Sequence, residues 1–119
     1  MKVKIDKIEN HGKEGEKIVL EVLEDTNLGD FLILDTTYSS SGKISNKVRH
    51  PYWFPNKEVK KGDSVTLFTK EGKNISLKMK NSKSIYFFYW NLKSFVWNND
   101  GDCALLVHVK DCESYQVKI

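Results

Sequence analysis

The feature that most constrains the fold of this sequence is a repeated alternation of apolar and polar residues. Residues 18–22 read Ile-Val-Leu-Glu-Val, and residues 75–79 read Ile-Ser-Leu-Lys-Met. A period of two is typical of β-strands, and no segment keeps a helical period over two or more turns. The sequence therefore predicts an all-β chain.

Further strands are predicted at the start of the chain and in its second half. Pro51 and Pro55 fall in a stretch without a clear period, and proline cannot donate to a sheet ladder. We therefore expect an edge strand there, followed by a long loop. The clearest later strands are predicted over residues 65–68, 75–79, 86–89, 95–97, 103–109 and 115–119.

The spacing of these segments predicts a β-sandwich or barrel of about eight to ten short strands. The chain has 119 residues, which fits one domain. It contains no internal repeat and no linker-like segment. We therefore expect residues 1–119 to form a single domain.

Three segments, in order, carry a family resemblance. They are residues 16–22 followed by residues 28–35, then Trp53-Phe54-Pro55 followed by residues 59–67, and finally residues 95–106. The third is the most specific, because a strand ending in Trp leads into an Asn-Asn-x-Gly-Asp turn and then an apolar strand. Its motif residues are Trp97, Asn98, Asn99, Gly101 and Asp102.

On these segments the chain resembles a bacterial-type lamin-tail domain. The resemblance implies an antiparallel immunoglobulin-like β-sandwich. It also implies a non-catalytic module that takes part in protein–protein contacts or, in some members, in nucleic-acid or membrane association.

The charge is concentrated in the middle of the chain. The net charge is +3, yet residues 43–83 hold eleven Lys or Arg against three acids. Basic residues interleaved with aromatics can bind single-stranded nucleic acid. Alternatively, Trp53 and Phe54 close the sandwich and the lysines form a solvated rim that reflects composition alone. The candidate binding surface comprises Lys43, Lys47, Arg49, Tyr52, Trp53, Lys57, Lys60 and Lys61.

A second candidate surface is the aromatic run over residues 86–90. Alternation cannot bury all five rings on one face of a strand, so part of the run is expected to be exposed as an apolar interaction patch. Its candidate residues are Tyr86, Phe88 and Trp90.

Catalytic and metal-binding patterns are weak. His11, His50 and His108 are scattered, and the Cys103 and Cys112 spacing does not match structural zinc sites. We therefore predict no catalytic residue, no metal and no cofactor, although a small hydrolase stays open because folding could assemble a site. With no signal peptide and no apolar run of ~20 residues, a cytoplasmic protein is expected.

The leading functional hypothesis is a non-catalytic protein-interaction or structural module that uses the aromatic run or an open sheet edge. Self-association through the same surfaces stays open. The alternative is nucleic-acid binding through residues 43–83, with little sequence preference because ten of the eleven cations are lysines. Steep weakening of binding by salt would distinguish the alternative.

Overall fold

Ten β-strands and one short 3-10 helix make up the regular structure of residues 1–37, 42–98 and 101–119, which a computed structural model describes. The 3-10 helix spans Leu28–Asp30 and is capped by the Asn27 side chain, which accepts from the Gly29 N–H. The strands are β1 (Val3–Glu9), β2 (Lys17–Val22), β3 (Thr26–Asn27), β4 (Phe31–Thr37), β5 (Arg49–Trp53), β6 (Glu58–Val59), β7 (Ser64–Phe68), β8 (Ile75–Lys78), β9 (Ser84–Tyr89) and β10 (Asp102–His108).

The strands form a five-stranded sheet in the order β1-β2-β7-β9-β8 and a three-stranded sheet in the order β10-β4-β5, with a small β3-β6 pair. The predicted all-β fold and the number of strands are confirmed. The expectation of purely antiparallel sheets needs one correction, since β7 and β9 pair in parallel. The reason is that β9 lies between β7 and β8, so the antiparallel β8–β9 hairpin returns β9 along β7.

The core lies between the two larger sheets. Alternation places Ile18 and Leu20 of β2 on the inner face, where they and Phe31 and Ile33 of β4 are fully buried. Burial of such a side chain contributes about 1.5–3 kcal/mol relative to leaving it exposed. Within the described residues, the buried apolar side chains belong to one cluster, and this cluster holds the sheets together.

The predicted strand over residues 95–97 is wrong. This segment is irregular, and its backbone donors bind a side chain instead of a neighbouring strand. Val96 N–H donates to Glu16 Oε1 at 2.7 Å, and Trp97 N–H donates to Glu16 Oε2 at 3.0 Å. Glu16 is only 1% exposed, so these two hydrogen bonds are buried, and they hold the loop against the start of β2.

The predicted strand over residues 115–119 is also wrong. These residues are exposed and have no strand assignment. Tyr115, Val117 and Ile119 have their side chains in solvent, so their alternation does not correspond to a buried face. The strand predicted at residues 103–109 is confirmed as β10, and it pairs with β4.

Candidate interaction surface

The predicted basic–aromatic surface is divided by strand β5. Arg49 lies opposite Asp35, near one end of β4, and Trp53 lies opposite Leu32, near the other end. At ~3.3 Å per residue, these two positions on β5 are roughly 13 Å apart. The candidate residues therefore form two groups at opposite ends of β5. The first group is Lys43, Lys47 and Arg49, and the second is Lys57, Lys60 and Lys61.

The second group of cations is partly neutralised. Lys60 Nζ lies 3.7 Å from Asp25 Oδ2, and the Lys61 N–H donates to Asp25 Oδ1 at 2.9 Å. The hydrogen bond from Lys61, and then the charge of Lys60, hold the pKa of Asp25 below its usual value. Lys57 has no carboxylate partner among the described residues, and its ammonium lies 5.4 Å from the Tyr86 ring centroid.

The aromatic residues of the first candidate surface differ in accessibility. Tyr52 is half-buried and makes edge contacts with Phe54 and Trp90, and burial raises the pKa of its hydroxyl. Phe54 is in the core. Trp53 is 53% exposed, and its indole N–H donates to the Gly29 carbonyl at 2.7 Å. Of these three rings, only that of Trp53 is open to a partner.

The second candidate surface requires correction. Phe88 is 5% exposed and Trp90 is 9% exposed, so neither can contribute to an exposed patch. Phe88 pairs with Leu67, and Tyr86 with Val65, which places these side chains on the core face of the sheet. Tyr86 itself is half-buried beside Lys57. Phe88 and Trp90 instead belong to the core cluster between the sheets.

The opposite face of β9 carries an apolar surface that reaches solvent. Ile75 pairs with Phe87, and Leu77 pairs with Ile85, so these four side chains share the outer face. Ile75 is 54% exposed and Leu77 is 51% exposed. Phe68 stacks on this face against Phe87 and Tyr89, with ring centroids 6.2 and 5.1 Å apart. We call Ile75, Leu77, Ile85, Phe87, Phe68 and Tyr89 the outer apolar face.

Strand β8 is an open edge of the five-stranded sheet, and all four of its residues are exposed. The Met79 N–H donates to the Lys83 carbonyl at 2.7 Å, in the same register as the β8–β9 pairs. Hydrogen-bonded and non-hydrogen-bonded pairs alternate in an antiparallel ladder. The backbone groups of Leu77 and Ile75 therefore point toward β9, and those of Ser76 and Lys78 point toward the free edge.

A groove of about 240 Å³ lies on the inner side of β8. It is lined by residues 55–57 before β6, residues 74–76 at the start of β8, and residues 86–88 of β9. Phe88 is the buried member of this lining, and Lys57 and Ser76 are exposed. The groove and the free edge of β8 are therefore adjacent.

A charged cluster around the buried Asp35 carboxylate joins β4 and β5. Asp35 is 1% exposed, and its Oδ2 lies 3.3 Å from His50 Nδ1 and 3.6 Å from Arg49 Nη2. Burial raises the pKa of Asp35, although the hydrogen bond from His50 and the charge of Arg49 oppose the rise. Asp102 of β10 adds to the rise by like charge.

The geometry of β5 explains why the sequence did not reveal this cluster. The β4–β5 register shifts between Ile33 and Asp35, and His50 has a φ of 49°. A bulge of this kind re-aims a side chain, and here the imidazole meets Asp35. An Asp–His pair can orient an imidazole for proton transfer. The Thr36 hydroxyl, next to Asp35 in sequence, is already engaged, since its single O–H is shared between the Ser45 and Lys47 carbonyls at 2.8 and 3.1 Å.

The motif residues have structural positions. Trp97 is buried 5.9 Å from Trp90, and its indole nitrogen has no hydrogen-bond partner within the described part of the chain. Gly101 has a φ of 88°, as the predicted turn requires, and Asp102 begins β10 opposite Thr37. Asn98 is exposed, and Asn99 lies outside the described residues.

No protein-family model matches this chain, and no curated protein matches its sequence. Within residues 1–37, 42–98 and 101–119, none of the helical structure is long and apolar enough to cross a membrane. The same residues contain no group of three or more His, Cys, Asp or Glu side chains that could hold a metal ion.

Proposed function

We propose that the chain is a protein-interaction module that binds an extended segment of a partner by adding it as a new strand to β8. The observation that carries this proposal is the free edge at Ser76 and Lys78. Each of these residues directs one backbone N–H and one carbonyl away from β9. An exposed row of such groups is a template for another strand.

The surroundings of β8 would provide affinity and selectivity. Each backbone hydrogen bond to a partner contributes about 0.5–1.5 kcal/mol net. Side chains on one face of the added strand would cover Ile75 and Leu77 of the outer apolar face. Side chains on the other face would enter the groove. Residues at alternate positions of the partner would therefore contact different surfaces of this protein.

The sequence also supports an interaction module. Residues 95–106 resemble the lamin-tail motif, which implies a non-catalytic module. We propose that the chain is a lamin-tail-like domain and that its binding role needs no catalytic residue. Strand addition is consistent with this, because it uses main-chain groups and surface side chains.

The test is a selection of linear peptides from a random display library on the immobilised protein, followed by measurement of their binding to Ser76→Pro. Proline at this position removes the N–H on the free edge but no bond to β9. Selected peptides should bind Ser76→Pro at least about ten-fold more weakly than the unmodified protein. Selected peptides that bind both proteins equally would overturn the proposal.

A second candidate function is polyanion binding through residues 43–83. It is favoured by one observation, the exposed Trp53 ring at the end of β5 that leads to Lys57, Lys60 and Lys61. Fluorescence anisotropy with labelled single-stranded DNA tests it at low and physiological salt. Binding that falls steeply with salt, and is lost when Lys57, Lys60 and Lys61 are changed to Glu, would favour this function. Absence of binding at low salt would exclude it.

A further inference from the structure

The free edge of β8 is surrounded by cations. Residues 70–83 contain five lysines and one acid, Glu71. Lys73, Lys78 and Lys80 are exposed, and none of them pairs with a carboxylate in the described part of the chain. An added strand would therefore enter a field that is positive on balance, since this segment holds five lysines and one acid.

The positive charge of these lysines determines which kind of strand can pair with the free edge of β8. Pairing of β8 with β8 of a second copy would bring two sets of these lysines together, and like charges on paired strands are destabilising. Lysine on edge strands is a known means of preventing such self-pairing. An acidic extended segment would instead be attracted, so charge complementarity favours a different, acidic partner over a second copy.

The groove beside β8 also favours an acid. No Asp or Glu is present among the described residues that line it. Its lining residues include Lys57, Ser76, Asn56 and Asn74, whose side chains carry an ammonium, a hydroxyl and two amides. The Lys57 ammonium forms no ion pair with a carboxylate among the described residues.

Internal hydrogen bonds fix the direction of both amides. Asn74 Oδ1 accepts from the Tyr89 N–H at 3.0 Å, and Asn56 Oδ1 accepts from Asn27 Nδ2 at 3.3 Å. Because the amide oxygens are used inside the protein, the Nδ2 groups of both residues are left as donors. The residues that line the groove therefore carry one cation and several N–H or O–H donors, which are the groups that bind a carboxylate.

We infer that the groove is a binding site for the side-chain carboxylate of an acidic partner strand that pairs with β8. This inference rests on the strand addition proposed above and names the chemistry of the partner. A residue of the added strand opposite Ser76 would direct its side chain over the inner face, toward Lys57 and Asn74. The neighbouring partner residues would be apolar and would cover Ile75 and Leu77.

The test compares two end-blocked, fluorescein-labelled octapeptides by anisotropy, one alternating glutamate with valine and the other alternating glutamine with valine. The protein variants are Asn74→Asp and Asn81→Asp. Asn74→Asp keeps the oxygen that accepts from Tyr89 but replaces the donor in the groove by an anion. Asn81→Asp is the matched control, because Asn81 Oδ1 also accepts a backbone N–H, that of Lys83, outside the groove.

We expect the glutamate peptide to bind the unmodified protein at least about ten-fold more tightly than the glutamine peptide. Asn74→Asp should weaken binding of the glutamate peptide by about ten-fold. Asn81→Asp should weaken it by less than about three-fold, since the control adds its negative charge outside the groove, where solvent and salt screen it. The glutamine peptide should bind all three proteins with similar affinity. Lys57→Gln provides a second variant, and it should weaken the glutamate peptide only.

Each other outcome has a defined meaning. Equal binding of the two peptides would overturn the carboxylate site and leave strand addition standing. If Asn74→Asp and Asn81→Asp weaken binding of the glutamate peptide equally, the carboxylate site does not lie in the groove. Failure of both peptides to bind would overturn strand addition and the inference together. Displacement of the glutamate peptide by single-stranded DNA, with no difference between the two Asp variants, would also overturn the inference in favour of a general polyanion surface.

Discussion

Glu16 and Val96 are 80 residues apart in sequence, yet the Glu16 carboxylate accepts the Val96 backbone N–H at 2.7 Å. The same carboxylate accepts from Trp97 at 3.0 Å and from Gly12 at 2.8 Å. It therefore ties the β1–β2 connection to the loop before β10. A buried carboxylate is tolerated here because three backbone donors replace its hydration.

The first prediction concerns Glu16→Gln. The amide has one acceptor oxygen, and its NH2 group would face backbone donors, so at least one buried N–H would lose its partner. Since an unsatisfied buried group costs about 1–3 kcal/mol, we expect the free energy of unfolding to fall by about 2–3 kcal/mol. Urea denaturation followed by tryptophan fluorescence measures this change.

Glu21→Gln is the control for this variant. Glu21 is exposed and contacts Lys4 at 3.3 Å, so its substitution should change stability by less than about 0.5 kcal/mol. Equal effects of the two substitutions would show that the contacts of Glu16 do not stabilise the fold.

The second prediction concerns the pH dependence that Asp35 gives to stability. Burial raises the pKa of the folded-state carboxyl above its ordinary value of 3.8. The folded protein therefore binds this proton more tightly than the unfolded chain. The resulting stabilisation is fully present below pH 3.8 and is lost as pH rises through the higher folded-state pKa.

Asp35→Asn removes this titration while keeping the shape of the protonated acid. The variant should gain stability relative to the unmodified protein as pH rises from 4 to 7, and urea midpoints across that range measure the difference. The groups facing Asp35 are Arg49, His50 and Asp102. Repeating the comparison in a His50→Gln background removes the neighbouring imidazole. A difference that is constant with pH in both backgrounds would contradict the prediction.

The sequence predicted strands well where one face is buried. Ile18 and Leu20 alternate with less buried neighbours, and the period of two identified β2 correctly. Prediction failed for residues 95–97, since their apolar character is real but their donors bind Glu16, a contact that no local pattern encodes. It failed for residues 115–119 because alternating apolar side chains form a strand only where they have a surface to pack against, and Tyr115, Val117 and Ile119 are exposed.

The candidate surfaces were harder to predict for a similar reason. Aromatic residues occupy both faces of β9, so the period could not show that Phe88 is in the core and Phe87 on the outer face. The basic residues 43–61 are close in sequence, but β5 separates them by its length. The free edge of β8 and the contact between Asp35 and His50 depend on strand order and a bulge, which are properties of the whole sheet.

The third prediction concerns the close approach of Gly72 to Tyr89. A Cβ built on Gly72 would overlap the Tyr89 ring, and the Gly72 N–H donates to Asn91 Oδ1 at 2.9 Å. Gly72→Ala should therefore destabilise the protein by about 1–3 kcal/mol through overpacking. In a Tyr89→Ala background, the same substitution should cost less than about 0.5 kcal/mol, as a double-mutant cycle of urea denaturation would show. An equal cost in both backgrounds would mean that the ring is not what excludes a side chain at this position.

The fourth prediction compares proline at two adjacent positions of β8. The Met79 to Lys83 hydrogen bond and the regular β8–β9 register place the Leu77 N–H on the β9 side and the Ser76 N–H on the free side. Leu77→Pro should remove a ladder bond and leave its partner carbonyl unpaired, which lowers the free energy of unfolding by about 1–3 kcal/mol. Ser76→Pro removes no such bond and should cost less than about 1 kcal/mol. Urea denaturation of the two variants measures the contrast. A larger loss from Ser76→Pro would reverse the assignment of the free edge, and the strand-addition surface would then lie at the alternate residues of β8.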